Sequence, residues 1–331
     1  MKLRGLLTRL KVPALLATLG VMLSGCSEKY TVLNPAGPVG REELYLIKLS
    51  AILVSIVIIP VLLIMAYIVY RYRDTPDNKA PYTPHWEHNS KLEVVWWGIP
   101  ILIIGILGWE TATTTFSLTK PPVESAHIKP ITIQVTSMDW KWMFQYPDQK
   151  IATVNYVKIP AGVPVQFELT ADAPMNSFWI PELGGQEYAM PGMSMRLWLQ
   201  ADKPGLYDGS GANFTGKGFA HMNFKVEAQS ESDFNAWVKN VKSTSPALTM
   251  DGYNELKKPG TAETASFSSF PDGLFMDTVD RNGGKYMEMK HERLQNDANK
   301  NDTNNQTDHS SQDMSGMDMS NMDMSNMDMS K

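Results

Sequence analysis

Leu49-Ser-Ala-Ile-Leu-Val-Ser-Ile-Val-Ile-Ile-Pro-Val-Leu-Leu-Ile-Met-Ala-Tyr-Ile-Val-Tyr70 runs without a single charged residue. At about 1.5 Å per helical residue it is long enough to cross a hydrocarbon core of roughly 30 Å, so it is read as a membrane span. Pro60 lies inside it, where a helix tolerates proline if its neighbours satisfy the freed backbone groups. A second apolar run, Val94 to Trp109, is shorter and reaches across by taking in Leu92 at one end and Thr111 to Thr114 at the other. The expected spans are therefore 49–70 and 92–114. The loop between them, 71–91, carries Arg71, Arg73, Lys79 and Lys91, which by the positive-inside bias marks it as cytoplasmic. Trp96, Trp97 and Trp109 stand where interfacial aromatic anchors belong. Glu93 opens the second span. A carboxylate there is either a charge snorkelling to the interface or a group that handles protons.

A hairpin of this orientation puts both of its flanks outside the membrane, and the N-terminus agrees. Lys2, Arg4, Arg9 and Lys11 precede an apolar run from Val12 to Leu23 that ends in small residues. This is the order of a secretory signal, too short to span stably. Residues 1–25 are thus expected to be a signal peptide and 26–48 an outer N-terminal segment. The run closes on Leu23-Ser-Gly-Cys26.

Composition narrows the classes further. The chain of 331 residues has a net charge of −5 and no basic stripe, which argues against a nucleic-acid partner. Cys26 is its one cysteine, so no intrachain disulfide forms.

From about Ile131 the pattern changes to short alternating runs: Ile131–Val135, Val163–Leu169 and Met193–Leu199. Turn signals separate them at Pro160-Ala-Gly162, Gly184-Gly185 and Lys203-Pro-Gly205. Such spacing predicts a sandwich or small barrel over 128–228. Trp140, Trp142, Phe144 and Tyr146 alternate, so they are expected to form an aromatic row on one face of one strand. Asp233-Phe-Asn-Ala-Trp-Val238 begins an amphipathic helical stretch, and Phe267-Ser-Ser-Phe-Pro271 with Leu274-Phe275 makes the extension, 229–295, rich in aromatics expected to pack on partner subunits.

Several motifs together carry a resemblance. Leu23–Cys26 resembles the bacterial lipobox. Val94-Val-Trp-Trp-Gly-Ile-Pro100, Asp139-Trp-Lys-Trp142, Asn176-Ser-Phe-Trp-Ile-Pro181 and Tyr188-Ala-Met-Pro-Gly-Met193 resemble subunit II of the haem–copper respiratory oxidases, in that order along the chain. The resemblance extends from Cys26 to about Asp280. It implies a membrane protein with a two-helix transmembrane hairpin, an outer all-β cupredoxin-like Greek-key barrel and a short helical C-terminal extension. It also implies a lipid on Cys26, and in Glu93 the entrance of a proton channel into subunit I.

The cytochrome c oxidases of that family hold a dinuclear copper centre in this barrel, in a pattern Cys-x-Glu-x-Cys-Gly-x-x-His-x-x-Met preceded by a His-Ser-Phe segment. Laid on this chain, the first His position is Asn176, the two Cys positions are Gly211 and Thr215, the Glu is Asn213 and the second His is Phe219; Met222 is retained. Bridging thiolates and imidazoles hold soft copper, and the barrel segment contains no Cys and one His, His221. No copper centre is expected there and no cofactor on this chain, with haems and copper in subunit I. The copper-less branch consists of quinol oxidases, which oxidise quinol, reduce oxygen to water and pump protons. Asp139–Pro147 and Gly211–Gly216 most resemble the Gram-positive menaquinol oxidases. The partners so implied are subunit I, smaller membrane subunits, a quinol and the bilayer.

The last segment, 296–331, is polar low complexity ending in a repeat: Met317-Asp-Met319-Ser-Asn, Met322-Asp-Met324-Ser-Asn, Met327-Asp-Met329-Ser. No core forms from such a composition. It is either a solvated tail or, since closely spaced thioethers suit Cu(I), a copper-gathering one with His309 nearby. The reading is a multi-pass, lipid-anchored oxidase subunit with its barrel outside. The rivals are a cytochrome c oxidase subunit II and a copper-handling membrane lipoprotein.

Overall fold

A computed structural model describes residues 30–81, 83–85 and 87–284. The expected signal peptide, Cys26 and the methionine repeats lie outside the described residues.

Two long helices open the chain, α1 (Pro38–Arg71) and α2 (Ser90–Leu118). Both are apolar on every side, and their side chains from Ile52 to Tyr70 and from Val94 to Trp109 are largely exposed, as expected of helices surrounded by lipid or by other membrane chains. α1 carries Pro60 and α2 carries Pro100 without ending at either. α1 begins eleven residues before the uncharged run, with Pro38 at its first position, where a missing N–H costs nothing. α2 starts on an Asn89 cap whose side chain accepts from the amides of Lys91 and Leu92.

The outer domain consists of two facing sheets. β1 (Ile131–Met138), β2 (Lys141–Tyr146), β3 (Ile151–Val154), β5 (Val165–Ala171) and β8 (Met195–Leu199) make one. β4 (Tyr156–Pro160), β6 (Asn176–Trp179), β7 (Glu187–Ala189), β9 (Gly205–Gly211) and β10 (Asn223–Gln229) make the other, in the order β4-β10-β9-β6-β7. β1 runs parallel to β5 and β4 parallel to β10, while the remaining pairs are antiparallel. This is the cupredoxin-like arrangement expected. Between the sheets lies an aromatic core. Phe178 stacks on Phe224 at 5.1 Å, and Trp142 meets both edge-on at 5.4 and 5.8 Å. Each such fully buried ring stabilises by about 1.5–3 kcal/mol through area alone, and ring pairs add about 0.5–1.5.

The aromatic row corrects the expectation in one place. Trp142, Phe144 and Tyr146 do share the buried face of β2. Trp140 does not, because it sits before the strand at φ 67°, in the left-handed turn that reverses β1 into β2.

The extension packs on this chain's own outer domain. It contains α3 (Glu231–Thr244), α4 (Met250–Leu256), β11 (Ala265–Phe267) and α5 (Leu274–Val279). It adds β11 to the edge of β3 and buries Leu248, Tyr253 and Leu274 against Met138, Met143 and Val154, while Phe267 and Phe270 pack around them and stay half-buried. Sheet one therefore has apolar layers on both faces. Lys141 fastens the extension further: its ammonium donates to the Leu256 and Lys258 carbonyls at 2.7 and 2.8 Å.

The head of α1 is docked on the barrel. The amide of Ala36 donates to Glu182 O at 2.7 Å, that of Gly40 to Leu183 O at 3.0 Å, and that of Asp202 to Ala36 O at 2.9 Å. Glu43 Oε1 accepts from the Gly185 amide at 2.6 Å. Arg41 pairs with Asp202 and with Glu124, the latter at 3.0 Å.

Candidate functional site

The positions that the resemblance assigns to copper come together at one end of the barrel. Asn176 opens β6 and Gly211 closes β9; the connection that follows runs through Thr215 and a short turn at Phe219–His221 to Met222, just before β10. Asn176 is fully buried and Met222 nearly so. The Asn176 carboxamide donates to Met222 Sδ at 2.9 Å, and its oxygen accepts from the Ser177 amide at 2.7 Å. Thr215 Oγ1 reaches the same sulfur at 3.7 Å. Gly211 closes the group: its amide donates to Met222 O at 2.9 Å, and a Cβ there would stand 3.0 Å from Asn176 Oδ1. The other two positions turn away. Asn213 donates to Met175 O at 3.0 Å, and Phe219 packs edge-on against the exposed Phe214 at 5.6 Å.

The donor set at this point is a carboxamide, a hydroxyl and a thioether, already bonded to one another. It lacks the thiolate pair that bridges two coppers and the imidazoles that complete such a centre, and so does not fit it. His221 is exposed and offers no second imidazole to the group. Among the described residues no three His, Cys, Asp or Glu side chains converge.

Two tryptophans shape the surroundings. Trp142 Nε1 donates to Met222 O at 3.3 Å from inside the core. Trp140 closes the connection from the outside, with its Nε1 donating to Thr215 O at 3.0 Å. Its ring lies so close to Gly218 that a Cβ there would stand 2.4 Å away. The sequence shows an alternating Trp-x-Trp, but only the fold shows that the two rings line opposite sides of one connection.

At the other end of the molecule, Glu93 occupies the first turn of α2. The first turn of a helix favours a carboxylate because unpaired amides point toward it. Glu93 is about one-third exposed and pairs with His88 Nδ1. The His88 Nε2 meets Ser90 Oγ at 3.1 Å. Sequence reasoning singled out Glu93 and passed over His88. The signal available was a histidine one residue before the Asn89 cap, where the backward tilt of helical side chains brings Glu93 toward it.

Asp172, after β5, was also missed. Its carboxylate is 3% exposed and accepts from Tyr253 Oη at 2.8 Å, Asn282 Nδ2 at 3.0 Å and Arg281 at 3.1 Å, with Lys257 at 3.4 Å. Burial alone would raise its pKa; the hydrogen bonds from Asn282 and Tyr253 and the Lys257 and Arg281 charges together hold it below the usual carboxylate value.

Residues 149–229 match the family model described as cytochrome c oxidase subunit II, periplasmic domain. The chain is similar to quinol oxidase subunit 2 of Bacillus cereus, with 49% identity over 249 residues, 75% of this chain and 86% of that one. It is similar as well to quinol oxidase subunit 2 of Bacillus subtilis, 44% identical over 77% of this chain and 79% of that one. Cytochrome bo(3) ubiquinol oxidase subunit 2 of Pseudomonas aeruginosa is 43% identical over 77% of this chain and 76% of its own length.

Proposed function

The chain belongs to the quinol oxidase subunit 2 family, and from that membership we propose that its barrel relays no electrons and carries no copper, while quinol reduces the large subunit directly. As a subunit of a quinol oxidase it is part of an oxidoreductase complex. Two membrane helices and an outer β domain are its architecture. The observation that carries the proposal is the Asn176–Met222 hydrogen bond, which occupies with ordinary polar groups the place where the family's copper-bearing members keep their ligands. Haems and copper then reside in subunit I, with smaller membrane subunits completing the complex. The wording of Asp139–Pro147 and Gly211–Gly216 favours menaquinol as the substrate.

Two measurements on the purified complex test this. Oxygen uptake is expected with a menaquinol analogue and not with reduced cytochrome c. The optical spectrum is expected to lack the near-infrared band of a thiolate-bridged copper pair. Turnover on cytochrome c accompanied by that band would overturn the reading in favour of a cytochrome c oxidase subunit.

The same proposal assigns three further roles. Glu93 is the cytoplasmic entrance of a proton channel into subunit I, supported by its place in the first turn of α2. Cys26 carries a lipid, supported by Leu23-Ser-Gly-Cys26 after a signal-like run; mass spectrometry of the mature N-terminus finds either the diacylglyceryl adduct or an unmodified residue. The repeated thioethers Met317, Met319, Met322, Met324, Met327 and Met329 bind Cu(I), supported by their spacing. Cu(I) titration of a peptide spanning 309–331 is expected to give micromolar affinity or tighter, and weaker binding ends that role.

A further inference from the structure

We infer that His88 is the group through which protons from cytoplasmic water reach Glu93, an inference that rests on the reading of Glu93 as the channel entrance. The pair has the geometry of a relay. The His88 side chain is 68% exposed and touches water, whereas the Glu93 side chain is 32% exposed and in direct contact with His88 Nδ1. The other nitrogen, Nε2, meets Ser90 Oγ at 3.1 Å, so the ring stands with one nitrogen on the carboxylate and the other on the hydroxyl that opens α2. Asn89 fixes the frame on which both sit, since its side chain caps α2 through the Lys91 and Leu92 amides at 3.2 and 3.1 Å.

Chemistry favours a histidine in this place. An imidazole has two ring nitrogens, so it can take a proton on one side and give one up on the other. Protonation at Nε2 makes the imidazolium. Loss of the Nδ1 proton to Glu93 Oε1 leaves neutral imidazole and a neutral carboxylic acid, so proton and charge balance without any other reactant. Tautomer exchange of the ring through solvent then resets it.

The surrounding charges leave the pair to itself. Glu87 and Lys91 flank the segment in sequence, and His85 precedes it. Across the loop, Arg71 donates to Asn78 at 3.3 Å and Arg73 lies over the Tyr70 ring at 4.5 Å. Asp74, Asp77 and Lys79 complete the loop's charges. Among the described residues, Glu93 is the acidic group in contact with the His88 ring.

The test compares His88→Asn, His88→Gln and Glu93→Ala in the complete complex, each checked by haem content for assembly. Quinol-driven oxygen uptake of His88→Asn is expected to fall at least severalfold at pH 7.5. Added imidazole is expected to restore it. Glu93→Ala is expected to be slow and insensitive to imidazole. If Glu93→Ala turns over normally, the channel-entrance reading fails and the inference with it. If Glu93→Ala is slow while His88→Asn matches the parent across pH 6–9, or is slow without rescue by imidazole, the reading of Glu93 stands and the relay role of His88 is overturned. Should His88→Asn fail to assemble, the same outcomes are read from His88→Gln.

Discussion

At the scale of single residues, the candidate copper positions show how a metal site is replaced without loss of the fold. A buried carboxamide left unpaired would cost about 1–3 kcal/mol. Asn176 avoids this by bonding Met222 Sδ and the Ser177 amide. The connection from Gly211 to Met222 is held closed by Trp140, whose φ is left-handed at 67° and whose ring lies against Gly218. Gly218 itself has an ordinary φ of −92°, so its lack of a side chain is required by space alone. Gly218→Ala would push a methyl into the indole and is expected to destabilise the outer domain by about 1–3 kcal/mol, the usual cost of overpacking. Loss of the Trp140–Thr215 hydrogen bond would accompany it. Denaturant unfolding of the full chain followed by tryptophan emission measures the shift, and an unchanged midpoint refutes this account of the glycine.

At the scale of elements, α4 and α5 are too short to hold themselves together, since isolated helices below about 12–15 residues are marginal. They depend on β11, on the apolar layer around Tyr253 and on Asp172. A folded-state pKa held below the unfolded value means that the Asp172 carboxylate stabilises the docked extension above roughly pH 4. That contribution disappears progressively as pH falls through the lowered value. Asp172→Asn is expected to cost about 1–3 kcal/mol at neutral pH and to abolish this acid-dependent step. Hydrogen exchange over 250–256 and 274–279 reports it: faster exchange in the variant at pH 7 is the expected result, and parent-like protection there refutes the latch.

At the scale of the whole molecule, the outer domain is attached to the membrane hairpin by more than a covalent linker. α1 rises past the uncharged run, and its head is bonded through backbone groups to Glu182, Leu183 and Asp202. Gly37 makes the closest approach, where a Cβ would stand 2.0 Å from the Gln200 carbonyl oxygen. Backbone cannot yield as a side chain tip can, so Gly37→Ala is expected to cost about 3 kcal/mol, the upper part of the overpacking range. A lower yield of haem-containing complex and a depressed thermal midpoint check this; unaltered assembly and midpoint would show that the junction is looser than its geometry.

Some of this was legible in the chain alone, for a definite reason. The two spans, their loop charges and the poverty of thiolates in the barrel segment are statements about composition over a window, and neighbours in sequence are enough to make them. The alternating strands and the α3 amphipathic pattern are equally local. Trp140 defeated the same logic because a period of two continues through a turn that only the β1–β2 pairing reveals. The docking of Phe267 and Leu274 onto Met138 and Met143, the Asp172 cluster and the Asn176–Met222 bond join residues from 46 to more than a hundred positions apart. Their partners are chosen by which chain segments the sheets bring face to face, and pairwise contacts at that separation leave no periodic trace in either segment. The sequence therefore determined which groups were available and which two segments are apolar and long enough to cross a membrane. The tertiary structure decided which of those groups meet.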